Sequence, residues 1–206
     1  MKILVVGGGG REHAIVKKIK QNKTVEKIYA VPGNGGMKDD AILVNIGATE
    51  LDKIVQFAVD EKIDYAIVAP DDPLVLGLVD RLEEKNIACF GPRKNAAIIE
   101  GSKVFSKNLM KKYGIPTAEY QVFSSYEEAL KYLETAPIPT VIKADGLALG
   151  KGVIIAFTRE EAIDAIKSIM EDKAFGSSGD NVVIEEFLEG PEVSVLSLPT
   201  AKPSFL

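Results

Sequence analysis

The chain has no tryptophan, one cysteine and one histidine in 206 residues. A single cysteine excludes an internal disulfide and any cysteine-ligated zinc built from this chain alone. That thiol, Cys89, sits in the apolar run Ile87 to Phe90, where a small buried side chain is expected before a nucleophile. Long apolar stretches are also missing. No uninterrupted run approaches the roughly 20 residues that span a bilayer, and Met1 leads straight into the strand-like run Lys2 to Val6. With no charged leader to draw there, secretion and membrane association are not expected, and the cytoplasm is the expected compartment. Positive charge is not in excess either: 25 Lys and Arg stand against 30 Asp and Glu, a formal charge of −5. That balance argues against a broad nucleic-acid surface, yet permits a local basic pocket for a small phosphate. An apolar share of 46 % and a charged share of 27 % are ordinary for a globular protein. The length admits one large domain or two small ones.

What is present is a regular alternation. Short β-branched runs alternate with longer stretches carrying apolar residues at helical spacing, which predicts an α/β fold with a parallel sheet. Strands are expected over residues 2–6, 27–31, 65–69 and 86–90, with helices over 11–21, 50–61 and 74–84. Residues 1–100 therefore read as a doubly wound domain. Gly91-Pro92 closes its last strand, helices follow over 96–100 and 103–112, and the domain boundary falls near residue 100. Beyond Pro116 the expected order is strand 119–123, helix 126–134, strand 140–144, a glycine-rich loop, strand 152–157, helix 159–172 and strand 182–187. That order suits a small α+β unit containing a hairpin. Periodicity is lost from Leu198 to Leu206.

Three segments carry chemistry. Gly7, Gly8, Gly9 and Gly10 end the first predicted strand and run directly into Arg11-Glu12-His13-Ala14. Glycine lets a backbone approach an anion closely, and free amides at a helix start favour negative charge. A phosphate site is one reading, and a tight turn needing positive φ is the other. Dinucleotide binding is disfavoured: Glu12 or His13 occupies the third glycine position of G-x-G-x-x-G, and the second strand ends in Val31-Pro32-Gly33 with no acidic residue for a ribose diol. The second segment runs from Lys143 through Gly146, Gly150 and Lys151 to Gly152, between two predicted strands. It is not a Walker A loop, since a glycine and a strand follow Lys151. It reads as a flap able to close over phosphates with Lys143 and Lys151 as movable cations, or as a solvated hairpin. The third segment, Val182 to Gly190, is an apolar strand running into a polar turn. It can offer backbone groups to an adenine edge, with Glu189 or Glu192 for ribose hydroxyls, or it is a solvated edge. His13 reads equally as a packing or capping residue and as a base.

Taken in order, these segments resemble the glycinamide ribonucleotide synthetase family, the phosphoribosylamine–glycine ligases of the ATP-grasp superfamily. The matching stretches are 7–14 (GGGGREHA), 31–36 (VPGNGG), 100–103 (EGSK), 115–120 (IPTAEY), 141–153 (VIKADGLALGKGV) and 183–188 (VIEEFL). The resemblance implies an N-terminal domain that helps hold 5-phosphoribosylamine, followed by residues 101–206 as part of an ATP-grasp domain with a lid over about 118–190. It implies that ATP phosphorylates the glycine carboxylate and that the amine of phosphoribosylamine attacks the acyl phosphate. Carried over by motif, Gly8, Gly9, Gly10, Arg11 and Glu12 fall near the sugar phosphate. Lys103 and Lys143 meet nucleotide phosphates, and Gly146, Gly150, Lys151 and Gly152 cover them. Glu185, Glu186, Phe187 and Leu188 frame adenine, and Glu192 takes the ribose. A monomer working on small molecules is expected.

Two departures qualify this. Asp71, in Ala69-Pro70-Asp71-Asp72-Pro73, stands where the family commonly has a glutamate, so its substrate contact reaches one methylene less far. Leu149 replaces a smaller flap residue, a packing change. Family members also run on well past residue 206, and the resemblance places the Mg2+ ligands and most of the glycine site in that later part. No metal ligand is therefore expected within this chain, and the 206 residues alone are expected to be inactive. Residues 198–206 are expected to be a non-family tail, from a shifted reading frame or an ordinary alternative end.

Overall fold

The computed structural model describes residues 1–148 and 152–196. The first unit is built from β1 (Lys2–Gly7), α1 (Gly10–Ile19), β2 (Lys27–Pro32), β3 (Ile42–Leu43), α2 (Leu51–Asp60), β4 (Tyr65–Val68), α3 (Asp71–Leu76), α4 (Leu78–Glu83) and β5 (Ala88–Phe90). The sheet order is β3-β2-β1-β4-β5, and every pairing is parallel. Alternation along the strands splits the core in two. Leu4, Val6, Tyr29 and Val31 pack with Ile54 of α2 and Leu82 of α4. Ile3, Val5, Ile28 and Ala30 pack with Val16 of α1 and with Met37. Both faces of the central strands are thus covered, which is why β1 reads as a continuous apolar run and not as an alternating one.

Strand and helix ends fall within one or two residues of the sequence reading, with two exceptions. The helix expected over 74–84 is two helices, α3 and α4, hinged at Gly77, whose φ of +94° belongs to the left-handed region that glycine tolerates. Strand β3 is only two residues long, too short to give a periodic signal.

Helices α5 (Lys94–Gly101) and α6 (Lys103–Tyr113) lead to the second unit. Ser102 caps α6, its hydroxyl accepting from Phe105 N–H at 3.0 Å. The second unit comprises β6 (Tyr120–Phe123), α7 (Tyr126–Leu133), β7 (Thr140–Ala144), β8 (Val153–Ala156), α8 (Arg159–Met170) and β9 (Val182–Glu186). Its sheet is antiparallel, in the order β6-β9-β7-β8. Ile142, Ala144, Val182 and Ile184 turn one face onto Leu133 of α7 and Ile166 and Ile169 of α8. With a period of two, Lys143 and Glu185 lie on the other face. The register pairs Lys143 with Val183, so Glu185 is its diagonal neighbour across the sheet.

Cys89 is half-buried and free. Burial, then the nearby Glu83 charge, raises its thiol from 9.0 to about 11. Two units means about a hundredfold less thiolate near neutral pH. Iodoacetamide at pH 8 is therefore expected to alkylate the folded chain about 100-fold more slowly than the urea-unfolded chain, by mass spectrometry. Comparable rates would show that the thiol is not shielded.

Candidate active site

The strand order places a topological switch between β1 and β4, where ligands bind in open parallel sheets. The loops leaving these two strands form one wall of a cleft of about 830 Å³, and Lys103, Leu147, Ala148, Gly152 and Val153 form the other.

On the first wall, Gly7 takes φ +121°, and a side chain there would press on Glu12 and Pro70. A Cβ on Gly8 would lie 2.6 Å from the Gly33 carbonyl oxygen, and Asn34 Nδ2 donates to the Gly8 carbonyl at 2.9 Å. The 7–10 loop is thus clamped against the 33–36 loop. Gly10 opens α1 with its Cβ direction free. Arg11 is exposed and lines the cleft. Glu12, expected as a substrate contact, lines the cleft but is only 8 % exposed. One of its oxygens accepts from Gly9 N–H at 2.5 Å, so this carboxylate shapes the loop and consumes one of its amides. Asp71, the first residue of α3, and Asp72 both line the cleft.

On the second wall, Lys103 Nζ donates to the Gly146 carbonyl at 3.1 Å. Burial pushes its ammonium pKa down, against the pull of Asp145. Among the described residues Lys103 forms no ion pair, leaving donors for an anion. Asp145, which the sequence reading left without a role, fastens α6 to the flap base: it accepts from Ser102 Oγ and Val104 N–H, each at 2.9 Å. Its own N–H donates to the Ser178 carbonyl at 2.9 Å. Gly152 is buried, and a Cβ there would meet Ala148 at 2.6 Å. Gly150 and Lys151, the other expected flap residues, lie outside the described residues, as does the expected tail at 198–206.

Deeper on the sheet face, Lys143 Nζ donates to Glu185 Oε2 at 2.7 Å. Lys107 of α6 reaches the same oxygen at 3.1 Å. Lys107 was missed by sequence reading: a lysine in a polar helix ordinarily faces solvent, and only the packing of α6 on the sheet buries it to 7 %. Glu185, expected to frame adenine, has its side chain committed to these two cations, while its Oε1 is buried with no hydrogen-bond partner among the described residues. Glu186 bonds back to Glu119, accepting from its N–H at 3.2 Å and donating its own N–H to the Glu119 carbonyl at 2.9 Å. Phe187 stands edge-on to Phe157 with ring centroids 5.8 Å apart. Leu188, Glu189 and Glu192 are exposed. Of the expected nucleotide contacts among the described residues, Lys103 and Gly152 line the cleft, whereas Lys143, Gly146, Glu185, Glu186, Phe187, Leu188 and Glu192 do not. His13 faces away toward Asp40, Nε2 to Oδ2 3.6 Å, in a packing position. Among the described residues no group of three or more His, Cys, Asp or Glu side chains could hold a metal ion, and no helix is long and apolar enough to cross a membrane.

The fold is a parallel α/β domain followed by a small antiparallel α+β unit, an architecture of the ATP-grasp class. Two family models cover nearly the whole chain: the phosphoribosylglycinamide synthetase N domain over residues 1–100 and its ATP-grasp (A) domain over 101–204. The chain belongs to the phosphoribosylglycinamide synthetase family. Phosphoribosylamine–glycine ligase of Halalkalibacterium halodurans is 50 % identical over 197 residues, 96 % of this chain and 46 % of its own length. The enzyme of that name from Fusobacterium nucleatum is 52 % identical over 198 residues, again 96 % and 46 %. The chain thus spans about half the length of the curated relatives it matches. The crystal structure of phosphoribosylamine–glycine ligase from Thermotoga maritima superposes with a TM-score of 0.75 at 32 % identity, covering 93 % of this chain and 45 % of that one. A biotin carboxylase from Campylobacter jejuni, at 18 % identity and a TM-score of 0.73 over 91 % of this chain and 45 % of its own, shares the fold alone.

Proposed function

We propose that this chain supplies the sugar-phosphate wall and the nucleotide lid of an ATP-dependent phosphoribosylamine–glycine ligase. ATP, with Mg2+, provides the phosphoryl group that activates the glycine carboxylate. The single observation that carries the reading is the cleft itself, in which the 7–10 loop on one side and Lys103 with the flap base on the other line one opening. A phosphorylated sugar on the first wall and a polyphosphate on the second would meet there, so the nucleophilic amine and the activated carboxylate need travel little.

The donor set fits a nucleotide. Lys103 is half-buried and unpaired among the described residues, and Lys143 leans on a carboxylate shared with a second cation. Site lysines of this kind neutralise charge on transferred phosphate. Gly10, at the helix start, and exposed Arg11 suit the sugar phosphate, with Asp71 and Asp72 on the same wall for its hydroxyls. The buried base of the flap restricts water near an acyl phosphate, which hydrolyses readily.

Titration with ribose 5-phosphate, followed by amide chemical shifts, tests the first wall. The shifts expected to move are those of Gly8 to Arg11, with the lid amides 182–186 unmoved. No response in the glycine loop at millimolar ligand would overturn the assignment of this wall.

A further inference from the structure

We propose that Lys107 is a positioning residue of the nucleotide site: by holding Glu185 permanently, it leaves Lys143 free to exchange that carboxylate for an incoming phosphate. The inference rests on reading Lys143 as a phosphate contact and adds a residue to which that reading gave no part.

The two lysines that meet at Glu185 Oε2 are held very differently. Lys107 Nζ has three acceptors around it: Thr117 Oγ1 at 2.7 Å, the Ala118 carbonyl at 3.3 Å and Glu185 Oε2 at 3.1 Å. Two of these are hydrogen bonds and the third is an ion pair, so this ammonium is engaged on three sides. The Tyr120 ring lies 5.4 Å from it as well, and its side chain is only 9 % exposed. Lys143 Nζ has one partner among the described residues, Glu185, and its side chain is 26 % exposed. One cation is fixed and the other can leave.

Leaving would ordinarily be costly. Glu185 is 5 % exposed, and removing the only counter-ion of a buried carboxylate strands an uncompensated charge, a strongly destabilising change. Lys107 prevents this, because the carboxylate stays paired after Lys143 departs. It also weakens the hold on Lys143 beforehand, since two ammonium groups compete for one oxygen and repel each other. With Lys107 absent, Lys143 and Glu185 become a one-to-one buried pair, and a phosphate has to break it.

The test reads Lys143 directly. Trace acylation with acetic anhydride, quantified peptide by peptide, reports how freely each lysine amine reacts, and an ammonium pinned to a carboxylate reacts slowly. In Lys107→Met, Lys143 is expected to label about fivefold more slowly without nucleotide, and a fluorescent ADP analogue to bind about tenfold more weakly. Lys107→Arg, which keeps the charge, should stay within about twofold of wild type in both. In a Glu185→Gln background, Lys107→Met should change neither by more than about twofold, because the path through Glu185 is gone. Unchanged Lys143 labelling in Lys107→Met, or equal slowing in the Gln background, overturns the proposal. Lys107→Gln, which keeps a donor for Thr117, replaces the Met variant if the latter fails to fold. Labelling that follows the expected pattern while ADP binds no form of the protein upholds the coupling and overturns only the nucleotide reading.

Discussion

Lys143→Ala is expected to weaken ATP binding by about 1.5–3 kcal/mol, roughly 10- to 150-fold, while Lys18→Ala changes it by less than about 0.5 kcal/mol. Both changes remove one lysine charge, so any long-range loss is common to the two. What differs is position. Lys18 is exposed on α1, its side chain donating to Gln21 at 3.2 Å, whereas Lys143 projects from β7 on the sheet face turned away from α7 and α8. The fold should survive the change, because Glu185 keeps Lys107 at 3.1 Å and no buried charge is stranded. A shift in the thermal midpoint comparable to that of Lys18→Ala, together with a large loss of nucleotide affinity in a fluorescence titration, is the expected pair of results. Equal affinity losses in the two variants would sink the assignment of Lys143.

The second large effect separates two neighbouring glycines. Gly8→Ala places a methyl group 2.6 Å from the Gly33 carbonyl oxygen, a backbone atom that cannot swing aside. The 7–10 and 33–36 loops must part, at a cost of about 1–3 kcal/mol, with the Asn34 bond to the Gly8 carbonyl lost and ribose 5-phosphate binding abolished. Gly10→Ala meets nothing within 4 Å. It lies at the first position of α1, where alanine suits a helix better by up to about 1 kcal/mol, so the thermal midpoint should hold or rise. Denaturation curves of the two variants measure the contrast. A Gly8→Ala protein as stable as wild type, with intact sugar-phosphate binding, would show that the clamp between the loops is not needed.

These contrasts mark where sequence reading stops. GGGGREHA announced a loop with an anion-binding helix start, yet four glycines in a row look alike on paper. Their inequality comes from Gly33 lying across Gly8 and from nothing lying over Gly10. Glu12 was grouped with its neighbours as a ligand contact, and only the fold shows that one of its oxygens is already taken by Gly9 N–H. Asp145 was quoted in a motif without a role, because its partners, Ser102 and Val104, are more than forty positions away. The helix break at Gly77 was legible in principle as a glycine inside an apolar period, but the neighbouring leucines masked it.

By itself the sequence determined the local things: which segments form strands and helices, which faces they bury, and where glycine permits a close approach to an anion. Those follow from side-chain period and backbone freedom, which act over a few residues. The tertiary structure alone decided the meeting of the 7–10 loop with Lys103 across one cleft, and the sharing of Glu185 between Lys107 and Lys143. Charge at a distance of forty to eighty residues in the chain has no periodic signature. A lysine counts as solvated or buried only once a helix has docked on a sheet and removed its water, and that desolvation converts three ordinary charged residues into a coupled site.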